Sequence, residues 1–238
     1  MLRKYRDWIK SDDLTRTVVS YKETDICIIG ERDLGREALG LIRKYRKEIE
    51  DYIGMDPAFK EALEPIEAKK SAPPIIERMI EAGRRSGVGP MAAIAGAVAE
   101  FVGRGLLRFS KDVIVENGGD IFIKSSKMRR FGVFAGKSVL TGRLTFEIIA
   151  SDTPLGICTS SGTVGHSLSL GKADAACVIS KDTALADAAA TATGNIVKSA
   201  DDIERGISFA KSIQGVEGVI VIVGSKFGTW GKIKLMRP

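Results

Sequence analysis

Three short stretches of the chain gather side chains that could do chemistry. The first is Asn117-Gly118-Gly119-Asp120, at the end of the apolar run Val113–Glu116. Two glycines permit positive φ and let a ligand or another backbone come close. A carboxylate just beyond them can take a hydroxyl or a cation. Asn-Gly is also the strongest short hairpin signal, so a plain turn is an equal reading. The second is Cys158-Thr159-Ser160-Ser161-Gly162-Thr163-Val164-Gly165-His166, with four hydroxyls, one thiol, two glycines and the only imidazole of the chain. Hydroxyls and backbone N–H groups in such a loop suit a phosphate. His166 titrates near neutral pH and could act as a general base. The plainer alternative is a polar surface loop. The loop lacks the Gly-Lys-Ser/Thr of a Walker A sequence. The third is Ala184-Leu-Ala-Asp187-Ala-Ala-Ala-Thr191-Ala-Thr-Gly-Asn195. Asp187 and Thr191 are four apart and share a helix face. Their hard oxygens would form part of a Mg2+ shell. An exposed Asp187 is the alternative, but an acid in an Ala-rich helix argues for burial with a partner.

These stretches must be held by regular elements, and the hydropathy pattern supplies them. Residues 16–31 read as a two-strand hairpin, rich in β-branched residues and ending at Gly30. An amphipathic helix is expected over Leu34–Ile53, and a short one from Pro57 to Leu63. Prolines punctuate Pro65–Pro74, which reads as a connection inside a domain. Helices are expected over Pro74–Ala82, closed by Gly83, and over the small-residue run Met91–Leu106. Period-two runs then predict strands at Val113–Glu116, Ile121–Ile123, Phe131–Ala135, Leu144–Ile149 and Ala173–Ile179. Asp182 reads as the N-cap of a helix through Ala192 that Gly194 and Asn195 close. A further helix runs from Ser199 or Asp201 to near Lys211, and Val219–Val223 with Gly231–Leu235 reads as a closing hairpin. Meandering strands with paired helices point to a layered α+β domain rather than a doubly wound sheet.

Composition narrows the function classes. The chain has 238 residues, 28% charged, so wholesale disorder is excluded and a sizeable core is affordable without staples. No apolar run approaches the roughly 18 residues of a membrane helix. The charged start, MLRKYRDWIKSDD, does not read as a secretory signal. Three scattered cysteines describe no disulfide framework, so a cytoplasmic setting is expected. The net charge of +6 is dispersed and aromatics are 6% of the chain, which makes a nucleic-acid platform unfavoured. It does suit an anionic, phosphate-bearing ligand. A homodimer is the expected assembly. Because the candidate site draws on segments from about 90 to 195, the small-residue helix included, one domain over 1–238 is expected.

The order of these features resembles the ApbE superfamily, the FAD:protein FMN transferases, and most closely its short branch. The small-residue helix, Asn117-Gly-Gly-Asp-Ile121, Thr159-Ser-Ser-Gly162 followed by His166, and Ala186-Asp-Ala-Ala-Ala-Thr191 carry the resemblance, over residues 86–196. It implies a layered, T-fold-like single domain with antiparallel-rich sheets packed against helices. It implies Mg2+ on Asp187 and Thr191. Asn117, Gly118, Gly119 and Asp120 would lie near an FAD or FMN ligand, with Thr159, Ser160, Ser161 and Gly162 lining the same cleft and His166 as the active-site imidazole. Two departures mark the chain. Ala95 or Gly96 stands where the transferases have Lys, and Ser167-Leu-Ser-Leu-Gly171 lacks their Asp-Pro segment after the His. The expected function is therefore binding of a flavin or adenine nucleotide with a divalent metal, in a transferase of altered chemistry. The resemblance also implies an alternative in sulfur assimilation, homocysteine or cysteine synthesis, with Cys158 as the reactive group. A third expectation is a non-catalytic ligand-binding protein.

Overall fold

The computed structural model describes residues 4–69, 71–163 and 170–236. A 3-10 turn, Lys4–Trp8, precedes strands β1 (Thr15–Tyr21) and β2 (Thr24–Gly30). Helices α1 (Gly35–Met55), α2 (Ala58–Glu61) and α3 (Pro74–Ser86) follow, then a 3-10 turn Pro90–Ala93 leading straight into α4 (Ile94–Leu106). Next come β3 (Val113–Asn117), β4 (Asp120–Lys124), β5 (Arg129–Gly132), β6 (Thr145–Ile148), β7 (Leu155–Ser160) and β8 (Ala175–Ser180). The chain then forms α5 (Thr183–Ile196), α6 (Ile203–Ser212), β9 (Val216–Val223), β10 (Lys226–Gly231) and β11 (Lys234–Met236).

Eight strands form one antiparallel sheet in the order β1-β2-β3-β4-β7-β8-β9-β10, and β11-β6-β5 form a second, smaller one. Period-two alternation splits the large sheet's residues between two cores. Val113, Val115, Phe122, Cys158, Val178 and Val219 pack with the helices. Ile114, Ile123, Ile157, Cys177 and Ile220 pack with Phe131, Phe146 and Ile148 of the small sheet. The expected layered α+β architecture with antiparallel sheets is observed. Among the described residues no single helix is long and apolar enough to cross a membrane.

Several expectations need correction. Gly83 does not stop α3; it lies inside the helix, where a Cβ would sit 2.6 Å from the carbonyl of Val88. Gly87 makes the left-handed cap instead, at φ +71°. Gly194 and Asn195 likewise fall within α5 rather than closing it. Leu155–Ser160 is a strand at the centre of the large sheet, although Cys158 onward was expected to be loop. Gly156 and a run of hydroxyls hide its apolar alternation. Val219–Val223 does form a hairpin, but with Lys226–Gly231, whereas Lys234–Met236 crosses to pair with β6.

Candidate functional site

The Asn117–Asp120 stretch is a two-residue hairpin turn. Asn117 and Asp120 are cross-strand partners, and Gly118 and Gly119 turn the chain at φ +70° and +109°. By strand parity Asn117 shares the face of Val113 and Val115, and Asp120 that of Phe122, so both side chains meet the helices. The Asn117 amide donates to the carbonyl of Ala95 (3.0 Å) at the start of α4. The Asp120 carboxylate, 7% exposed, accepts from the Thr159 N–H (3.2 Å) on β7.

Asp187 arrives at the same place from α5. It is buried, at 8% exposure, which overturns the exposed reading. Its Oδ2 accepts from the Gly96 N–H (2.8 Å), and the Ala95 N–H also bonds the carboxylate. These are first-turn donors of α4, which no side chain of its own caps. Gly96 is required here, because a Cβ would lie 2.5 Å from the Thr183 carbonyl and 2.7 Å from the Asp187 Cβ. The two helix starts are joined reciprocally. Glu100 of α4, 1% exposed, accepts from the Thr183 N–H (2.8 Å) at the first residue of α5.

The electrostatics of Asp120 and Asp187 are unusual. Among the described residues neither has a lysine or arginine partner. Burial pushes the Asp120 carboxyl well above the usual carboxylate range, and the Asp187 charge adds to this. Burial raises Asp187 to about 7 against the lowering pull of the Gly96 and Ala95 amides. Cys158 is fully buried beside them, within hydrogen-bond reach of Asp120 and donating to the Thr183 carbonyl (3.4 Å). Burial first, and then both carboxylates, drive its thiol well above 9.0, so it is held protonated. A reactive cysteine requires the opposite environment.

The remaining candidates extend this centre along α5. Thr191 is partly exposed, one turn beyond Asp187. The Gly119 Cβ position is 3.8 Å from the Thr159 carbonyl, and Ser160 Oγ lies 3.7 Å from that of Gly194. Ser161 accepts from the Thr163 N–H (3.1 Å). Gly162 donates to the Ala173 carbonyl (2.9 Å), closing the base of the loop. A Cβ on Gly162 would strike the Gly171 carbonyl, and one on Gly171 the Gly194 carbonyl, so glycines stack this base on the last turn of α5. His166 lies outside the described residues. Asn195, the other asparagine of the chain, accepts from the Leu170 N–H (2.8 Å) and anchors the far side of the loop.

Sequence reasoning did not single out Glu100, Glu116 or the Ala95–Gly96 backbone. Glu100 and Glu116 did carry a signal, since each is an acid inside a largely apolar element. A surface groove of about 770 Å3 lies elsewhere, between the C-terminal ends of α3 and α6, with Arg84, Arg85 and Phe209 in its walls. It includes none of the motif residues, and its arginines suit a helix C-terminus. Among the described residues no three His, Cys, Asp or Glu side chains gather as a complete metal cage.

The model of a family described as AbpE bacteria matches residues 6–223. The UPF0280 protein of Methanocella arvoryzae is 41% identical over 218 residues, covering 91% of this chain and 89% of the relative. That of Methanosarcina acetivorans is 42% identical over 195 residues, covering 81% and 76%. Among solved structures, an ApbE protein of Thermotoga maritima matches with TM-score 0.60 at 12% identity, covering 90% of this chain and 96% of that one. The flavin transferase ApbE of Vibrio cholerae, as an H257G mutant, matches with TM-score 0.58 at 13% identity, covering 92% and 97%. At such identities the likeness concerns the fold.

Proposed function

This chain belongs to the family described as AbpE bacteria, and from that premise we propose that it binds a flavin or adenine nucleotide together with Mg2+ at the start of α4. The observation that carries the reading is the meeting of Asn117, Asp120 and Asp187 at one helix start, with two buried carboxylates that have no lysine or arginine partner among the described residues. Carboxylates left in that state are strained by their own burial, and a divalent cation relieves it. The donors are hard oxygens, which fit Mg2+. Asp120 and Asp187 would hold it, with Thr191 from the next turn. Two carboxylates do not fill an octahedral shell, so phosphate oxygens of the ligand and water complete it, as is usual for Mg2+. Cation and nucleotide therefore bind as a pair.

A bound cation neutralises phosphate charge and polarises a phosphoryl oxygen, which suits displacement at phosphorus. The chain's own residues do the rest. The Gly96 and Ala95 amides orient Asp187, and the Thr159 amide orients Asp120. Asn117 fixes the α4 backbone that both face. Thr159, Ser160 and Ser161 supply hydroxyls along the loop base, which Gly162 closes through its bond to Ala173. His166 is the proton acceptor to test, on its side-chain chemistry alone. With Ala95 and Gly96 in the first turn of α4, no lysine stands there to bind the leaving phosphate, so the transfer chemistry differs from that of an FMN transferase. Cys158 packs in this reading and does not react, which disfavours the sulfur alternative.

Calorimetry with FAD, FMN and ATP, with and without Mg2+, tests the proposal. The expected result is binding that requires Mg2+ and is lost in Asp187→Asn. Absence of binding of all three, in either condition, overturns it. Binding that survives Asp187→Asn but not Cys158→Ala would favour the sulfur reading instead.

A further inference from the structure

The hairpin turn that presents Asp120 consists of two glycines, the residues that lose most conformational freedom on being ordered. Something must hold it, and the contacts come from the opposite side of the sheet. Glu116, the residue before Asn117, is 0% exposed and shares the face of Ile114, toward the small sheet. Its Oε1 accepts from the Gly119 N–H (2.9 Å), the amide next to Asp120. Its Oε2 accepts from Arg6 Nε (2.5 Å), in the N-terminal 3-10 turn. Arg6 is itself 9% exposed and also donates to the Asp25 carboxylate (2.6 Å) and carbonyl (3.0 Å) at the start of β2. The N-terminal turn is pinned in its place. Arg16 donates to the Arg6 carbonyl (2.8 Å), and Trp8 packs over Gly132 and Gly142.

From this geometry we infer that Arg6 and Glu116 are positioning residues, which lock the Gly118-Gly119 turn from behind and so hold Asp120 and Asn117 in register for the ligand. The inference rests on the cation–nucleotide reading for its functional consequence, but the locking itself does not. A buried ion pair is a poor way to gain stability, because desolvation offsets most of the attraction. It is a good way to fix direction. A carboxylate that accepts at both oxygens, from a guanidinium and from the turn amide, has one orientation left. An apolar pair of similar volume would pack as well and would leave the Gly119 N–H without this acceptor.

The test uses the full chain with Arg6→Met, Arg6→Lys, and the double variant Arg6→Met/Glu116→Gln. The first readout is the Gly119 amide in a proton–nitrogen correlation spectrum, with its hydrogen-exchange rate. The second is Mn2+ affinity in the presence of FAD, by electron paramagnetic resonance. Arg6→Met should move the Gly119 amide upfield, speed its exchange and weaken Mn2+ binding by up to about tenfold, the low end for an outer partner of a metal ligand because Arg6 acts through Glu116 and the turn backbone. Arg6→Lys should recover most of both. A purely structural role would lower melting temperature without this rescue pattern at Gly119. Arg6→Met takes the guanidinium from buried Glu116; if that variant does not fold, the double variant, which also removes the carboxylate charge, takes its place and is expected to show the same loss of affinity. A folded variant lacking the ion pair, with wild-type Gly119 exchange and wild-type affinity, overturns the inference. If the wild type binds no Mn2+ with FAD, the cation–nucleotide reading fails, and the Gly119 readout alone then decides whether Arg6 and Glu116 lock the turn.

Discussion

The starts of α4 and α5 are built from the same device and left in opposite electrostatic states. Each receives a buried carboxylate from the other helix: Asp187 onto the first turn of α4, and Glu100 onto the first residue of α5. At α5 every acid has an arginine. Glu100 accepts from Arg104 (2.7 Å), and Asp182, which caps Leu185 N–H (3.0 Å), accepts from Arg78 (2.7 Å). At α4, Asp187 and its neighbour Asp120 have none among the described residues, and burial holds both carboxyls above their ordinary range. A joint whose only task is to connect two helices is completed with counter-charges. The incomplete one is where a ligand would supply the missing positive charge.

The largest expected effect tests that difference by pH. Asp187 has a folded-state value of about 7 against 3.8 for the free group, so the folded chain holds an extra proton between those values. Stability of the ligand-free protein should therefore fall as pH rises from about 4 to 7, by on the order of a few kcal/mol, and the raised Asp120 carboxyl adds to the decline in the same direction. Groups whose values are lowered, such as Asp112, act the other way and lose their contribution only at more acidic pH. Melting temperatures across pH check this. Asp187→Asn should flatten the decline and stabilise the ligand-free protein above pH 7, and Mg2+ with nucleotide should flatten it in the wild type. A decline unchanged in Asp187→Asn would remove the asymmetry between the two helix starts.

Gly96→Ala comes next. The added methyl meets backbone and a Cβ rather than a flexible tip, so the helices must part, at about 1–3 kcal/mol in denaturant melts. Glu100→Gln sharpens the comparison further. It weakens the bond to Arg104 and should destabilise by about 1–2 kcal/mol, the opposite sign to Asp187→Asn at the same pH. Cys158→Ala should leave Mg2+-dependent binding intact, and iodoacetamide should label native Cys158 far more slowly than the unfolded chain, because the thiol is buried and protonated. The smallest effect belongs to Arg78→Ala. Its half-exposed pair with Asp182 should contribute less than about 1 kcal/mol.

Much of the scaffold was legible in advance. The β1–β2 hairpin, α1, the Asp182 cap of α5 and the strands on either side of Asn117-Gly-Gly-Asp120 follow from patterns only a few residues long. The hairpin reading of that turn holds, and a hairpin turn is compatible with presenting Asn117 and Asp120 to a ligand. β7 is hidden in the sequence because Gly156 and three consecutive hydroxyl residues from Thr159 mask a strand whose neighbours on both sides make it central. Glu100 and Glu116 carry the same signal as Asp187, an acid in a largely apolar setting that needs a partner.

The sequence by itself determined which residues share a face, where turns could form, and that an acid among alanines needs a partner. Those properties depend on periods of two or 3.6 residues, which any local stretch expresses. Only the tertiary structure decided that Asp120 and Asp187 would meet, that Glu100 would find an arginine while Asp187 finds none among the described residues, and that Arg6 would reach Glu116. Strand order and helix docking bring those groups together from distant parts of the chain. The energy that distinguishes them is desolvation, which has no value until the fold has removed the water.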